Sequence, residues 1–207
     1  MTGHPFRVGV LASGEGTNLQ ALLDRVHGRE ARIVAVGSDQ PGARALARAA
    51  AAGVPTAVFA RGEYADRAAR DAAMGRWLAE AGVELVVLAG YMQLLSPGFL
   101  AAFPQRIVNV HPALLPAFPG LYAIEQALAY GVKVFGVTVH FVDEGVDTGP
   151  IILQRAVELP AARTADEVHR ALQPLEHELL PEAVRLLARG AIRPDPDHPR
   201  RVLVALG

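Results

Sequence analysis

The sequence predicts an α/β fold: a mostly parallel sheet with helices on both faces, Rossmann-like in its N-terminal half, with an antiparallel addition in the C-terminal half. Three observations predict it. Short apolar runs alternate with helical stretches through the first half, the signature of βαβ units. The run "VELVVLAG" at 83–90 is almost continuously apolar, as expected of a strand covered on both faces. Two long runs, "KVFGVTVHFVD" at 133–143 and "PIILQRAVEL" at 150–159, are joined by a short loop, which suits antiparallel pairing.

Taken in order, "FRVGVLA" (6–12) reads as the first strand, followed by a Gly-rich turn and a helix from about Asn18. "RIVAVGS" (32–38) is the second strand, and "GARALARAAAAG" (42–53) an Ala-rich helix closed by Gly53. "PTAVFA" (55–60) is the third strand, 66–81 the third helix, "VELVVLAG" the fourth strand and "RIVNV" (106–110) the fifth. In the run 133–143, period-two alternation puts Gly136, Thr138 and His140 on one face and Phe135, Val137 and Val139 on the other. Residues 164–189 read as a helix with Thr164 as N-cap and Glu167 at the capping-box position, kinked or broken at Pro174. The Pro-rich tail ends in an apolar run that reads as one last edge strand. No repeat, linker or domain boundary is visible.

The chain has 207 residues, just over half of them hydrophobic, enough for a sizeable core. A formal net charge of −1 gives no electrostatic case for nucleic acid or an anionic membrane. No apolar run approaches the ~18–20 residues that span a bilayer. The N-terminus lacks a basic region followed by a long apolar one, so no secretory signal is read and a cytoplasmic location is expected. Cysteine is absent, which removes disulfides and thiolate chemistry.

Three segments carry chemistry. "SGEGTNLQ" (13–20) lies between a strand and a helix. Gly14 and Gly16 let a backbone approach a ligand there, and helix-start N–H groups suit a phosphate. A tight βα turn explains the glycines equally well. A dinucleotide fingerprint does not, because Leu19 stands at its third glycine. Asp39 has the spacing of a ribose-binding acid but is followed by the turn Gln40-Pro41-Gly42. In "VNVHPALLPAFPG" (108–120), Asn109 and His111 sit two apart at a strand end and point to one side. Asn supplies a neutral donor and His a proton near neutral pH. The following prolines stiffen the loop. In "GVTVHFVDEGVDTGP" (136–150), Asp143, Glu144 and Asp147 cluster beside Gly145 and Gly149, which reads either as a solvated turn or as a site. His140 reads as a packed core histidine. The remaining histidines show no ligand spacing, and no metal is expected.

These segments, with "LAGYMQLLS" between the first two, occur in an order and spacing that resembles the phosphoribosylglycinamide formyltransferases over about residues 6–190. The resemblance implies one formyltransferase domain over 1–207: a mononucleotide-binding half (1–105), a folate-binding and catalytic half (106–190) and a tail (191–207). It implies a purine-biosynthetic enzyme of one-carbon metabolism with 10-formyltetrahydrofolate as co-substrate, small-molecule substrates only, and no nucleic acid, membrane or metal. Oligomeric state stays open, a homodimer included. By the resemblance Asn109, His111 and Asp147 are catalytic. Gly14, Gly16, Thr17 and Asn18 bind the substrate phosphate and its neighbourhood, and Glu176 the ribose. Arg67 (with Arg70 as its alternative), Met92, Gln93, Leu94, Leu95, Asn109 and Asp143 lie on the folate side. A cis Leu115–Pro116 bond is also implied. Two departures stand out. Gln93 replaces an Arg common in relatives, and Glu15 puts an acid in the phosphate loop.

Competing readings share the site. A methionyl-tRNA formyltransferase is expected to carry a further C-terminal domain and a basic surface, and a formyltetrahydrofolate hydrolase an extra N-terminal domain. A non-catalytic Rossmann-type nucleotide-binding module would have no use for Asn109, His111 and Asp147 together.

Overall fold

The structure, a computed structural model, describes residues 5–205. His4 therefore lies outside the described residues. Seven strands make a mostly parallel sheet, and the chain forms two compact units, one up to Val108 and one from Asn109.

In the first unit β1 (Phe6–Leu11), β2 (Ala31–Ser38), β3 (Thr56–Val58) and β4 (Leu85–Leu88) run in the order β3-β2-β1-β4, every neighbouring pair parallel. All four residues of β4 are buried, as the unbroken apolar run predicts. The strands alternate with α1 (Thr17–Arg25), α2 (Arg44–Ala51) and α3 (Arg67–Glu80); α4 (Pro97–Ala102) follows β4. Local chemistry sets the helix starts. Asp66 caps α3 by accepting from the Ala69 N–H at 2.7 Å, and Ser96 caps α4 with Pro97 in its first turn.

The second unit takes the end of β5 (Ile107–His111), then α5 (Ala123–Tyr130), β6 (Val134–Phe141), β7 (Ile151–Glu158) and α6 (Ala165–Ala188). β6 and β7 pair antiparallel with Val137 opposite Arg155. The capping box of α6 is complete, Thr164 and Glu167 each bonding the other's backbone. α6 packs on β6 and β7 through Val168, Leu172, Leu179, Leu180 and Val184, all buried.

Three features differ from the sequence reading, where Pro174 was to kink or break its helix and the tail was to form one strand. α6 is not broken at Pro174; it runs through Pro174 and Pro181 as 24 helical residues. Each proline removes one backbone donor, and burial of the helix's apolar face outweighs that loss. The tail is not a single edge strand but a hairpin, β8 (Ile192–Asp195) against β9 (His198–Val204). The short helices α4 and α5 were not anticipated. Among the described residues, no helix is long and apolar enough to cross a membrane.

Candidate active site

Asn109 and His111 leave β5 on one side, as period two requires, and meet His140 from β6 and Asp147 from the loop before β7. The Asp147 carboxylate is the hub. One oxygen, Oδ2, lies 3.3 Å from His111 Nδ1 and accepts the Gly120 N–H at 2.8 Å. The other, Oδ1, lies 3.5 Å from His140 Nε2 and 3.4 Å from the Asn109 amide nitrogen. Asn109 Nδ2 is also 3.3 Å from His140 Nε2.

The other nitrogen of each imidazole faces a backbone carbonyl. His111 Nε2 is 2.9 Å from the Phe118 oxygen, and His140 Nδ1 is 2.8 Å from the Phe141 oxygen. A carbonyl only accepts, so those nitrogens carry hydrogen. A neutral ring then turns a lone pair toward Asp147, and a protonated ring donates to it. One carboxylate between two such rings is an arrangement for holding and moving a proton.

Burial by itself would raise the Asp147 pKa. Hydrogen bonds from His140 and the Gly120 N–H, with the charges of His111 and His140, outweigh it and hold the carboxyl down to about 2 from an ordinary 3.8. Asp147 therefore stays ionised at neutral pH although its side chain is only 14% exposed.

The loop after His111 is pinned from below. Thr138 Oγ donates to the Ala113 carbonyl at 2.7 Å and accepts the Leu115 N–H at 3.2 Å; Gln154 Nε2 donates to the Leu115 carbonyl at 2.9 Å. Leu115–Pro116 is cis, as expected. A Cβ at Gly136 would strike Leu114 and the Arg155 carbonyl, so glycine lets this loop lie close on β6.

The glycines of the acidic loop answer to its packing. A Cβ at Gly149 would overlap the Phe141 carbonyl, and one at Gly145 the Thr148 hydroxyl. They permit close packing. Asp143 turns inward to the same loop, accepting from the Thr148 hydroxyl at 2.6 Å and the Gly145 N–H at 3.1 Å. Glu176 is buried on α6.

In the first unit, Gly14 and Gly16 lie in the β1–α1 turn, and Thr17 and Asn18 open α1. Gly16 is left-handed (φ 69), and a Cβ there would lie 2.7 Å from the Ala45 Cα. The close approach that demands glycine is to α2. Gly14 has open space around it and lines an open pocket of about 510 Å³ with Ser13, Asp39, Arg44, Met92 and Gln93. The acid at Glu15 is paired: its carboxylate lies 2.9 Å from Arg44, and its carbonyl accepts from Arg48 at 2.8 Å.

Met92 and Leu94 are each 61% exposed, at the C-terminal end of β4. The arginine that reaches this segment is Arg70. It is buried, donates to Gln93 Oε1 at 3.3 Å and to the Leu94 carbonyl at 3.5 Å, and pairs with Asp71. Arg67 is exposed on the first turn of α3, one helical turn from Arg70. His140 is the site residue that sequence reasoning missed. Its strand-interior position matched a core histidine, and its place opposite Asp147 comes from the turn of the loop. Among the described residues, no group of three or more metal-capable side chains is placed to hold an ion.

The formyl transferase family model matches residues 6–184. The phosphoribosylglycinamide formyltransferase of Mycobacterium tuberculosis (strain H37Rv) is 46% identical over 185 residues, 89% of this chain and 86% of that protein. The trifunctional purine biosynthetic protein adenosine-3 of Drosophila melanogaster is 44% identical over 195 residues, 92% of this chain but only 14% of that protein. The crystal structure of glycinamide ribonucleotide transformylase 1 from Symbiobacterium toebii superposes with a TM-score of 0.93 at 49% identity, covering 98% of this chain and 95% of that one. The chain belongs to the formyl transferase family.

Proposed function

We propose that this chain transfers the formyl group of 10-formyltetrahydrofolate to the amine of 5-phosphoribosylglycinamide, giving the N-formyl product and tetrahydrofolate in purine biosynthesis. The observation that carries this reading is the Asp147 carboxylate, kept ionised between two imidazoles and beside the Asn109 amide. Similarity to enzymes of that name over most of their length supports the choice of substrates.

The amine attacks the formyl carbon, and its carbonyl oxygen becomes an oxyanion. Asn109 Nδ2 and a protonated His111 donate hydrogen bonds to that oxygen as charge develops, the oxyanion replacing the Phe118 carbonyl as acceptor of the His111 N–H. The adduct nitrogen loses a proton and the folate nitrogen gains one before the carbon–nitrogen bond breaks. Asp147 stabilises the charged imidazoles and moves these protons, directly or through water. The loop clamp on Ala113 and Leu115 limits reorganisation during the step. Gly14, Gly16, Thr17 and Asn18 take the phosphate, and Glu176 the ribose. The exposed side chains of Met92 and Leu94, with the edge of that segment, suit a flat pterin. Arg70 takes the folate-side role first given to Arg67, and Asp143 a supporting role in the loop. The protein is cytoplasmic in this reading.

The test is a formyl-transfer assay offering glycinamide ribonucleotide, Met-tRNA and water side by side. Turnover on the ribonucleotide alone is expected. Faster release of formate in water, or formylation of the tRNA, would replace this reading with a hydrolase or a tRNA enzyme, and folate binding without any turnover would leave a binding module.

A further inference from the structure

Asp39 has no part in the chemistry above, yet it is buried and collects three donors. Its Oδ1 accepts from the Ser13 hydroxyl at 2.6 Å, and its Oδ2 from the side-chain amides of Gln93 and Gln40, each at 3.1 Å. Both main partners lead to one segment. Ser13 Oγ accepts the Met92 N–H at 2.9 Å. Gln93 accepts from Arg70 at 3.3 Å, and beyond Arg70 the Asp71 carboxylate takes the Ser96 N–H at 2.6 Å. A continuous polar chain thus fixes Met92, Gln93, Leu94 and Ser96 while two apolar side chains remain exposed.

The direction of this chain is set by chemistry. Asp39 can only accept and Arg70 can only donate. Gln93 stands between them and must turn its NH₂ to one and its oxygen to the other. An arginine at 93 would meet Asp39 but would place a second guanidinium against Arg70. The Gln93 departure is therefore matched by Arg70.

We propose that Asp39 is a positioning residue for the folate segment: acting through Ser13 and Gln93, it holds Met92–Leu95 in the shape that receives the pterin. This rests on the function proposed above. Neither the Gln93 nor the Asp39 side chain need touch the ligand, since Gln93 is spent on Asp39 and Arg70, and Asp39 on Ser13, Gln40 and Gln93.

The test is an exchange of charge and amide. Asp39→Asn either sets its NH₂ against a donor, whichever way Gln93 turns, or turns that NH₂ to the Ser13 oxygen and leaves the Ser13 hydroxyl without its acceptor. Gln93→Glu sets two carboxylates against each other. In the double variant, the amide introduced at position 39 accepts from Ser13 and donates to the carboxylate introduced at position 93. That carboxylate also accepts from Arg70, so the chain closes again with the same total charge. Calorimetry with a non-reactive folate analogue should show each single variant weakened about tenfold, in the range of coupled buried pairs. The double variant should return to within about threefold of wild type. The ribonucleotide KM of the charge-conserving double variant should stay near wild type, which a general loss of structure would not allow. Thermal midpoints are measured alongside. A double variant that regains stability but not folate affinity overturns the proposal, as does an equal rise in both ligands' constants or a single variant with unchanged affinity. A wild-type protein that binds the analogue but transfers no formyl group overturns the proposed activity, while the four affinities still decide the relay.

Discussion

Asp147 Oδ2 faces His111 Nδ1 at 3.3 Å, while the far nitrogen of the same ring is held on the Phe118 carbonyl. The acid orients the ring, and the ring adds its charge to the hydrogen bonds from His140 and the Gly120 N–H that keep the acid ionised. Asp147→Asn preserves size and removes the charge, so kcat should fall at least ~100-fold with modest changes in KM, the general acid–base range. Asp143→Asn, which disturbs only its own loop, should cost far less. Steady-state kinetics of the two variants would reverse the assignment if Asp143→Asn were the inactive one.

His111→Ala should leave both ligands bound and lower kcat by about 10²–10³-fold, the usual effect of losing one oxyanion donor. Single-turnover rates with saturating ligands measure it. A near-normal rate would remove His111 from the chemistry.

The depressed Asp147 pKa makes a stability prediction. A carboxyl whose folded value lies below its unfolded one stabilises the fold above the unfolded value, and that contribution fades as pH falls through the folded value. For Asp147 the window runs from 3.8 down to about 2. The stability difference between wild type and Asp147→Asn should shrink as pH falls through this window. Denaturant titrations at a series of pH values would contradict this if the difference grew between 3.8 and about 2.

At the proposed phosphate loop the two glycines should behave differently. Gly16→Val drives a side chain into Ala45 of α2 at a left-handed residue, so loss of stability should dominate. Gly14→Val has room in the fold, and its added bulk enters the pocket. It should raise the ribonucleotide KM with little change in thermal midpoint. An unaltered KM in that folded variant would take the loop out of the site.

Much of this was legible in the sequence. β4 announced itself because buried parallel strands are apolar throughout, and α6 because Thr164 and Glu167 complete a capping box. The motif order also pointed to the formyl transferase family, which the comparisons bear out. What escaped depends on contacts distant in sequence. His140 lies on β6 and meets Asp147 only because the loop folds back. Arg70 differs from Arg67 by one helical turn, a shift that no local pattern registers. The β8–β9 hairpin was obscured by prolines at 194, 196 and 199, which local propensity reads as breaks.

Asn109, His111 and His140 ride on strands of the sheet, whereas Asp147 rides on a largely exposed loop and is itself left-handed (φ 52). Rigid and mobile parts of one protein open at different free-energy costs. On warming, the acid should leave its histidines before the sheet gives way, so catalysis should fail at a lower temperature than the far-ultraviolet dichroism and should return on cooling. The enzyme would then carry a reversible thermal off-state made of one displaced carboxylate. If activity and dichroism were lost together on a slow temperature ramp, the loop would instead be as firmly held as the strands it serves.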